Sequence, residues 1–173
     1  MKRLFIVFIS LILLCALCSC AAYKDPGEYL EYQNGGEFSG VLKIKNNGTE
    51  YGVTVSILGE TGEKRLTFSS PSEMTGYTYI KDENGIRLVF GENEIKVGED
   101  SSAAYLFALF ELDAGSVSSV NGRGRGKNAV CTLCFDDGSI VTVGASDNRP
   151  LNMENGYIEF ELDLPQALTR QAI

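Results

Sequence analysis

The sequence has no histidine and no tryptophan, and it carries 15 Lys plus Arg against 23 Asp plus Glu. Without histidine there is no Ser-His-Asp or Cys-His unit, no HExxH zinc motif and no imidazole proton switch, so the commonest routes to hydrolysis at neutral pH are closed. Any catalysis would have to come from carboxylates, Tyr, Lys or backbone, and nothing singles out a working pair of acids among turn-type clusters such as Asp136-Asp137-Gly138 and Asp82-Glu83-Asn84-Gly85. Neither cluster has the spacing of a calcium loop. The shortage of cations, with a formal net charge of -8, argues against a nucleic-acid partner, whose phosphates are bound by clustered Lys and Arg. The residues therefore predict a non-enzymatic chain, and no motif calls for a cofactor or metal.

What is present begins at the N-terminus. Lys2 and Arg3 precede an apolar run, Leu4 to Leu17, of 14 residues broken only by Ser10. That run is shorter than the ~18–20 residues a bilayer-crossing helix needs, and it leads into Leu17-Cys18-Ser19-Cys20. The pattern resembles a bacterial lipobox, with Leu17 at -3, Ser19 at -1 and Cys20 as the lipidated first residue of the mature chain. An ordinary cleaved signal and a short membrane anchor are the alternatives. Residues 1–19 are thus expected to be a lipoprotein signal peptide. Their removal takes two cations and no acid, leaving 154 residues with 13 Lys plus Arg and a net charge of -10. More than one acyl chain on Cys20 would make attachment stable, and the expected location is the outer face of a cell membrane. Residues 20–36 read as a lipidated N-terminus and tether with one turn-like element, Pro26 to Gln33. Residues 37–173 read as a single domain, long enough to bury one core without staples.

Beyond Cys20 the mature chain has two cysteines, Cys131 and Cys134. The C-T-L-C spacing invites a redox or zinc reading, but Asn128 to Phe135 reads as a strand ending at a turn. Residues three apart in a strand face opposite ways, ~10 Å apart at ~3.3 Å per residue, beyond the ~7 Å reach of a disulfide. A strand cysteine behaving as a small hydrophobe is the plainer reading.

From Phe38 onward, short alternating segments are separated by turn signals every ~8–12 residues, the rhythm of an antiparallel meander. Phe38–Lys45, Tyr51–Leu58 and Lys64–Phe68 would form consecutive hairpins. Ser70-Pro71-Ser72-Glu73 has the form of a capping box, with Ser70 as N-cap, followed by one helical turn that Gly76 stops. Tyr77–Ile80, Ile86–Phe90 and Glu94–Val97 supply three further strands. After the helix described next come Ser116–Val120, the cysteine strand, Ile140–Val143 and Tyr157–Leu164.

Ser102 to Asp113 departs from this rhythm, because Ala103 to Phe110 are eight consecutive apolar residues. Asp100 or Ser101 can cap the start and Gly115 can end it, which predicts a helix. A helix apolar on all sides must be buried on all sides. The expected fold is mainly β with one or two helices: an antiparallel curved sheet, an open half-barrel, wrapped around an apolar helix.

This order of elements resembles the lipoprotein-carrier (LolA/LolB-like) fold. The matching features are the lipobox at Cys20, the Leu30-Glu31-Tyr32-Gln33 entry, Thr67-Phe68-Ser69-Ser70-Pro71 followed by Gly76, the Leu88-Val89-Phe90-Gly91 strand, the Tyr105–Leu112 helix, and Arg149-Pro150-Leu151 before the last strand. More narrowly, the chain looks like uncharacterised acidic lipoproteins of anaerobic Gram-positive bacteria. The resemblance implies a concave apolar surface for an acyl chain or other hydrophobic ligand, and it places Tyr105, Leu106, Leu109 and Phe110 as candidate ligand contacts. The alternative is a filled core, in which the helix side chains occupy that space and the protein is a structural or interaction lipoprotein of the envelope. Finally, Gly122-Arg-Gly-Arg-Gly-Lys127 fails the Walker pattern at Asn121 and Asn128 and precedes a strand rather than a helix. It reads either as a basic hairpin loop or as a membrane-surface contact through Arg123, Arg125 and Lys127 to anionic headgroups.

Overall fold

In a computed structural model of the chain, residues 24–98, 101–124 and 128–163 are described. Cys20, Arg125 and Lys127 lie outside these residues, as do the signal peptide and the lipobox. Eleven strands form one sheet: β1 Gly36–Ile44, β2 Glu50–Ile57, β3 Lys64–Ser70, β4 Thr78–Asp82, β5 Gly85–Phe90, β6 Asn93–Val97, β7 Val117–Arg123, β8 Val130–Phe135, β9 Ile140–Gly144, β10 Pro150–Glu154 and β11 Ile158–Leu162. Their spatial order is β6-β5-β4-β3-β2-β1-β11-β10-β9-β8-β7, every pairing antiparallel. Two meanders are thus joined where the first strand meets the last, and the edges β6 and β7 do not pair with each other. A right-handed twist accumulated over so many strands curls the sheet, giving the open, curved form.

Alternation decides which face is inside. Phe38, Gly40 and Leu42 in β1, Val53, Val55 and Ile57 in β2, Leu66 and Phe68 in β3, and Ile158, Phe160 and Leu162 in β11 are buried at every second position. The β1–β11 seam sets one glycine requirement. A Cβ on Gly40 would lie 2.2 Å from the Glu161 carbonyl oxygen and 2.8 Å from Leu162 Cα, so no other residue lets the two meanders approach as they do. Pro150 begins β10, where its missing N–H costs no ladder bond. That strand has no counterpart in the sequence reading, although Met153 within it is fully buried.

Three local expectations are corrected. Ser70 does not cap a helix: its hydroxyl accepts from Gly52 N–H at 2.8 Å, the Ser70–Pro71 peptide is cis, and residues 71–76 form turns closed by Met74 N–H to the Pro71 carbonyl. The apolar helix α2 is Ser102–Ala108, after α1 at Pro26–Tyr29, and it does not continue to Asp113. Beyond Ala108 the backbone bonds become i→i+3, from Phe110 to Phe107 and from Glu111 to Ala108, and this tighter winding lets the adjacent Leu109 and Phe110 both turn inward. Nor is α2 buried all round. Ala103, Leu106 and Phe107 are buried, whereas Tyr105 and Ala108 are exposed.

The segment read as a tether is partly built into the fold. Asp25 caps α1 by accepting from Gly27 N–H at 2.8 Å, the 3-10 turn Glu31–Asn34 follows, and Tyr29, Leu30 and Tyr32 are buried. The Tyr32 hydroxyl donates to the Leu109 carbonyl, and its ring meets Phe38 and Phe110 edge-on. Burial pushes the Tyr32 phenol pKa far up. The cysteines follow the strand reading: Cys131 is buried beside Leu133 and Phe135, Cys134 is half-buried on the opposite face, and both are free thiols.

Candidate hydrophobic-ligand site

The two halves of the sheet are covered unequally. Over β8–β11, Phe110 meets Phe160 edge-to-face, Tyr29 and Cys131 are both buried, and Leu133, Val141, Val143, Met153 and Phe160 have no measurable exposure. That half is filled core. On the other half, a cleft of about 330 Å³ lies between the start of α2 and strands β1–β4, at the small end of the ~300–1,000 Å³ typical of ligand pockets. It is lined by Leu42, Ile44, Tyr51, Leu66, Phe68, Tyr79 and Ile158 of the sheet, Ala103 and Leu106 of α2, Met74 of the 71–76 turn, and Asn46 and Asn47 of the β1–β2 turn.

The lining follows from period-two alternation. Leu42 and Ile44, Leu66 and Phe68, and Tyr79 on β4 all project from the inner face, while α2 contributes residues one turn apart, Ala103 and Leu106. An aromatic row fixes the floor. Tyr51 and Phe68 meet at 5.5 Å and 84°, and Phe68 and Tyr79 at 6.0 Å and 66°, within the edge-to-face range that favours such pairs. Burial, with the Tyr51 phenol nearby, raises the Tyr79 pKa. Among the described residues no charged side chain lines the cleft.

Of the four helix residues singled out from the sequence, Leu106 lines this cleft. Leu109 and Phe110 are packed in the filled half. Tyr105 lies at the surface, stacked on Tyr157 at 4.1 Å, with its carbonyl accepting from the Asn155 side chain. The sheet side of the cleft was missed, and the signal available for it was the aromatics Tyr51, Phe68 and Tyr79, one on each of three consecutive predicted strands. Arg123 ends β7 opposite Val130, exposed at the hairpin that the basic loop closes.

Glu111 does more than mark where α2 leaves the core. Lys64 and Lys81 are directly opposed across β3 and β4, on the same face as Leu66 and Tyr79, and Glu111 accepts from both, at 3.1 and 2.5 Å. Partial burial pushes its pKa up, but the two ammonium donors outweigh this and hold it below the ordinary carboxylate range. One carboxylate thus ties the end of α2 to the cleft-bearing half of the sheet. Among the described residues there is no cluster of three metal-ligating side chains, and no helix is long and apolar enough to cross a membrane.

No protein-family model matches the chain, and no curated protein does. Among solved structures it is similar to an uncharacterized conserved protein from Thermus thermophilus, at 12% identity and TM-score 0.49, over 86% of this chain and 92% of that one. It is also similar to a putative outer membrane lipoprotein-sorting protein domain from Vibrio parahaemolyticus, at 12% identity and TM-score 0.38, over 75% and 67% of the two chains. A LolA superfamily protein from Nitrosomonas europaea is similar at 10% identity and TM-score 0.38, over 84% and 97%. The last two names coincide with the fold resemblance read from the sequence.

Proposed function

We propose that this chain is a non-enzymatic lipoprotein, anchored through Cys20 to the outer face of a cell membrane, that binds a lipid or other hydrophobic ligand between the curved sheet and α2. The observation that carries the reading is the apolar cleft between Ala103 and Leu106 on α2 and Leu42, Leu66 and Phe68 on the sheet. At about 30 Å³ per water-sized group, its 330 Å³ corresponds to a chain of roughly ten methylenes, each worth ~0.8 kcal/mol when removed from water. Arg123, Arg125 and Lys127 would lie against anionic headgroups, the short stretch between Cys20 and α1 keeping the domain near the bilayer.

Every described strand and every described core side chain lies within residues 24–163, so the chain from Ala21 onward retains the fold and serves for binding. That chain should enhance the fluorescence of N-phenyl-1-naphthylamine saturably and carry lipid detectable by mass spectrometry. Ala103→Phe, which fills the cleft, should abolish both, whereas Tyr105→Ala should leave them intact. Binding that survives Ala103→Phe refutes the site. In the full chain, palmitate label should disappear in Cys20→Ala, and persistent label refutes the anchor.

One observation favours a second reading. In the β8–β11 half Leu133, Val141, Val143, Met153 and Phe160 are fully buried, as a structural or interaction lipoprotein presenting its acidic surface to an envelope partner would require throughout. Absence of any bound amphiphile in the experiment above would support that reading.

A further inference from the structure

The chemistry around the cleft narrows the ligand class, on the premise that the cleft binds a hydrophobic ligand. Among the described residues none of the lining side chains carries a charge, and the polar ones are Asn46, Asn47, Tyr51 and Tyr79. The cations that a carboxylate or phosphate headgroup would need are already engaged. Lys43 and Lys45, in and just beyond β1 beside the lining residues Leu42 and Ile44, pair with Glu50 at 3.9 Å and Glu154 at 2.5 Å. Lys64 and Lys81, on the cleft-bearing face, share Glu111. None of these four lysines lines the cleft, so an anion seated in it would lose water without a cation among the described lining residues to meet it, a costly exchange. A cationic head meets no carboxylate in the lining either.

Two phenols are available in place of charge. Tyr51 and Tyr79 flank Phe68, which fixes both rings by edge contacts, and both line the cleft. Neither hydroxyl has a hydrogen-bond partner among the described residues. We infer that the ligand is a single-chain acyl compound with an uncharged ester or hydroxyl head, of the monoacylglycerol kind, whose head oxygens accept from Tyr51 and Tyr79 while the chain lies along Leu42, Leu66 and Leu106. A pair of neutral donors held by a rigid aromatic floor recognises an ester or alcohol, and the missing counter-ion discriminates against the acid of the same chain length.

The test is competition against N-phenyl-1-naphthylamine bound to the chain from Ala21 onward, with three twelve-carbon amphiphiles below their micellar concentrations: 1-monolauroylglycerol, laurate and dodecyltrimethylammonium. At about pH 8, where laurate is ionised, half-displacement by the glycerol ester should need about tenfold less compound than by either ion. The Tyr51→Phe/Tyr79→Phe variant keeps the rings and should lose most of that preference, as removal of two hydrogen bonds worth roughly fivefold each predicts, the preference being read as the ratio of half-displacing concentrations within the variant itself. Laurate displacing as well as the ester, or a double variant that retains the full preference, overturns the inference while leaving the hydrophobic site standing. A probe that does not bind at all overturns both. Should the variant fail to fold by circular dichroism, the wild-type competition series still decides.

Discussion

Glu111→Gln tests whether a single carboxylate fastens α2 to one half of the sheet. The carboxylate is about one-third exposed, at 34%, and solvent screening keeps each of its two ion pairs near the ~0.2–1 kcal/mol of partly exposed pairs. Its removal also leaves Lys64 and Lys81 directly opposed on one face, a like-charge cross-strand pair that costs a few tenths of a kcal/mol or more. The sum is about 1–2 kcal/mol, or a melting temperature lower by ~2–8 °C at ~2–4 °C per kcal/mol for a domain of this size. The pH dependence has a definite sign. A carboxylate whose folded pKa is depressed contributes stability that is fully present above its unfolded pKa of ~4.3 and is lost as pH falls through the folded value. The wild type should therefore melt above Glu111→Gln at neutral pH, with the gap closing as pH falls below ~4. Thermal unfolding followed by circular dichroism across that range reads the gap directly, and Lys64→Met and Lys81→Met should each reproduce part of it. A gap that is absent at neutral pH, or that does not change on acidification, refutes the clasp.

Gly40→Ala places a methyl within 2.2 Å of a backbone oxygen across the β1–β11 seam, so it should cost more than ~3 kcal/mol in urea unfolding, whereas Gly48→Ala, in open space but at φ 67°, should cost only ~1–2 kcal/mol for the left-handed backbone. Phe160→Ala removes a fully buried ring from the filled half and should lose ~3–5 kcal/mol; a loss below ~1 kcal/mol would mean that half is not tightly packed. In the chain from Ala21 onward, a thiol reagent should label Cys134 alone in the native state and both cysteines in denaturant, because Cys131 is buried and burial also raises its thiol pKa. Equal native labelling of the two would contradict their placement on opposite strand faces.

The parts of the fold that follow period-two alternation were legible in the sequence. The Tyr51–Leu58 segment buries Val53, Val55 and Ile57 as its alternation predicts, Ile86–Phe90 and Asn128–Phe135 fall on β5 and β8, and the Asn and Gly turns between strands limit slippage. What failed to show was decided by long-range contacts. Leu151-Asn-Met-Glu154 has too little apolar alternation to read as a strand, yet it sits between β9 and β11 with Met153 inside. Ser70 looks like a helix cap because the pattern is local, but the Gly52 amide, 18 positions away, takes its hydroxyl. The candidate site was legible only from its helix side. Leu106 faces the cleft, while its equally apolar neighbours Leu109 and Phe110 do not, because the tightened turn after Ala108 rotates them toward Phe160 and Tyr32. An unbroken apolar run carries no phase, so no pattern within it could have separated these roles.

The cleft has a geometric origin in the unequal reach of helix and sheet. Seven residues of α2 span about 10 Å at 1.5 Å per residue, whereas eleven strands at ~4.8 Å spacing extend ~48 Å across the sheet. The helix and the N-terminal 26–34 segment suffice to cover β8–β11, and only Ala103 and Leu106 remain for the other half, where Tyr79, Leu88 and Val97 stay partly exposed and Ile95 is largely open. A cleft formed by shortfall differs energetically from one carved into a packed core: Ile44, Tyr51, Met74 and Tyr79 in its wall are only half-buried, so occupying it removes their remaining apolar surface from water without breaking side-chain packing. Ala103→Phe should for this reason raise the melting temperature while it abolishes binding, the stability–activity opposition expected where a site is held open. If the variant instead loses both stability and binding, the added ring has nowhere to go, and the space beside α2 is packing rather than a site.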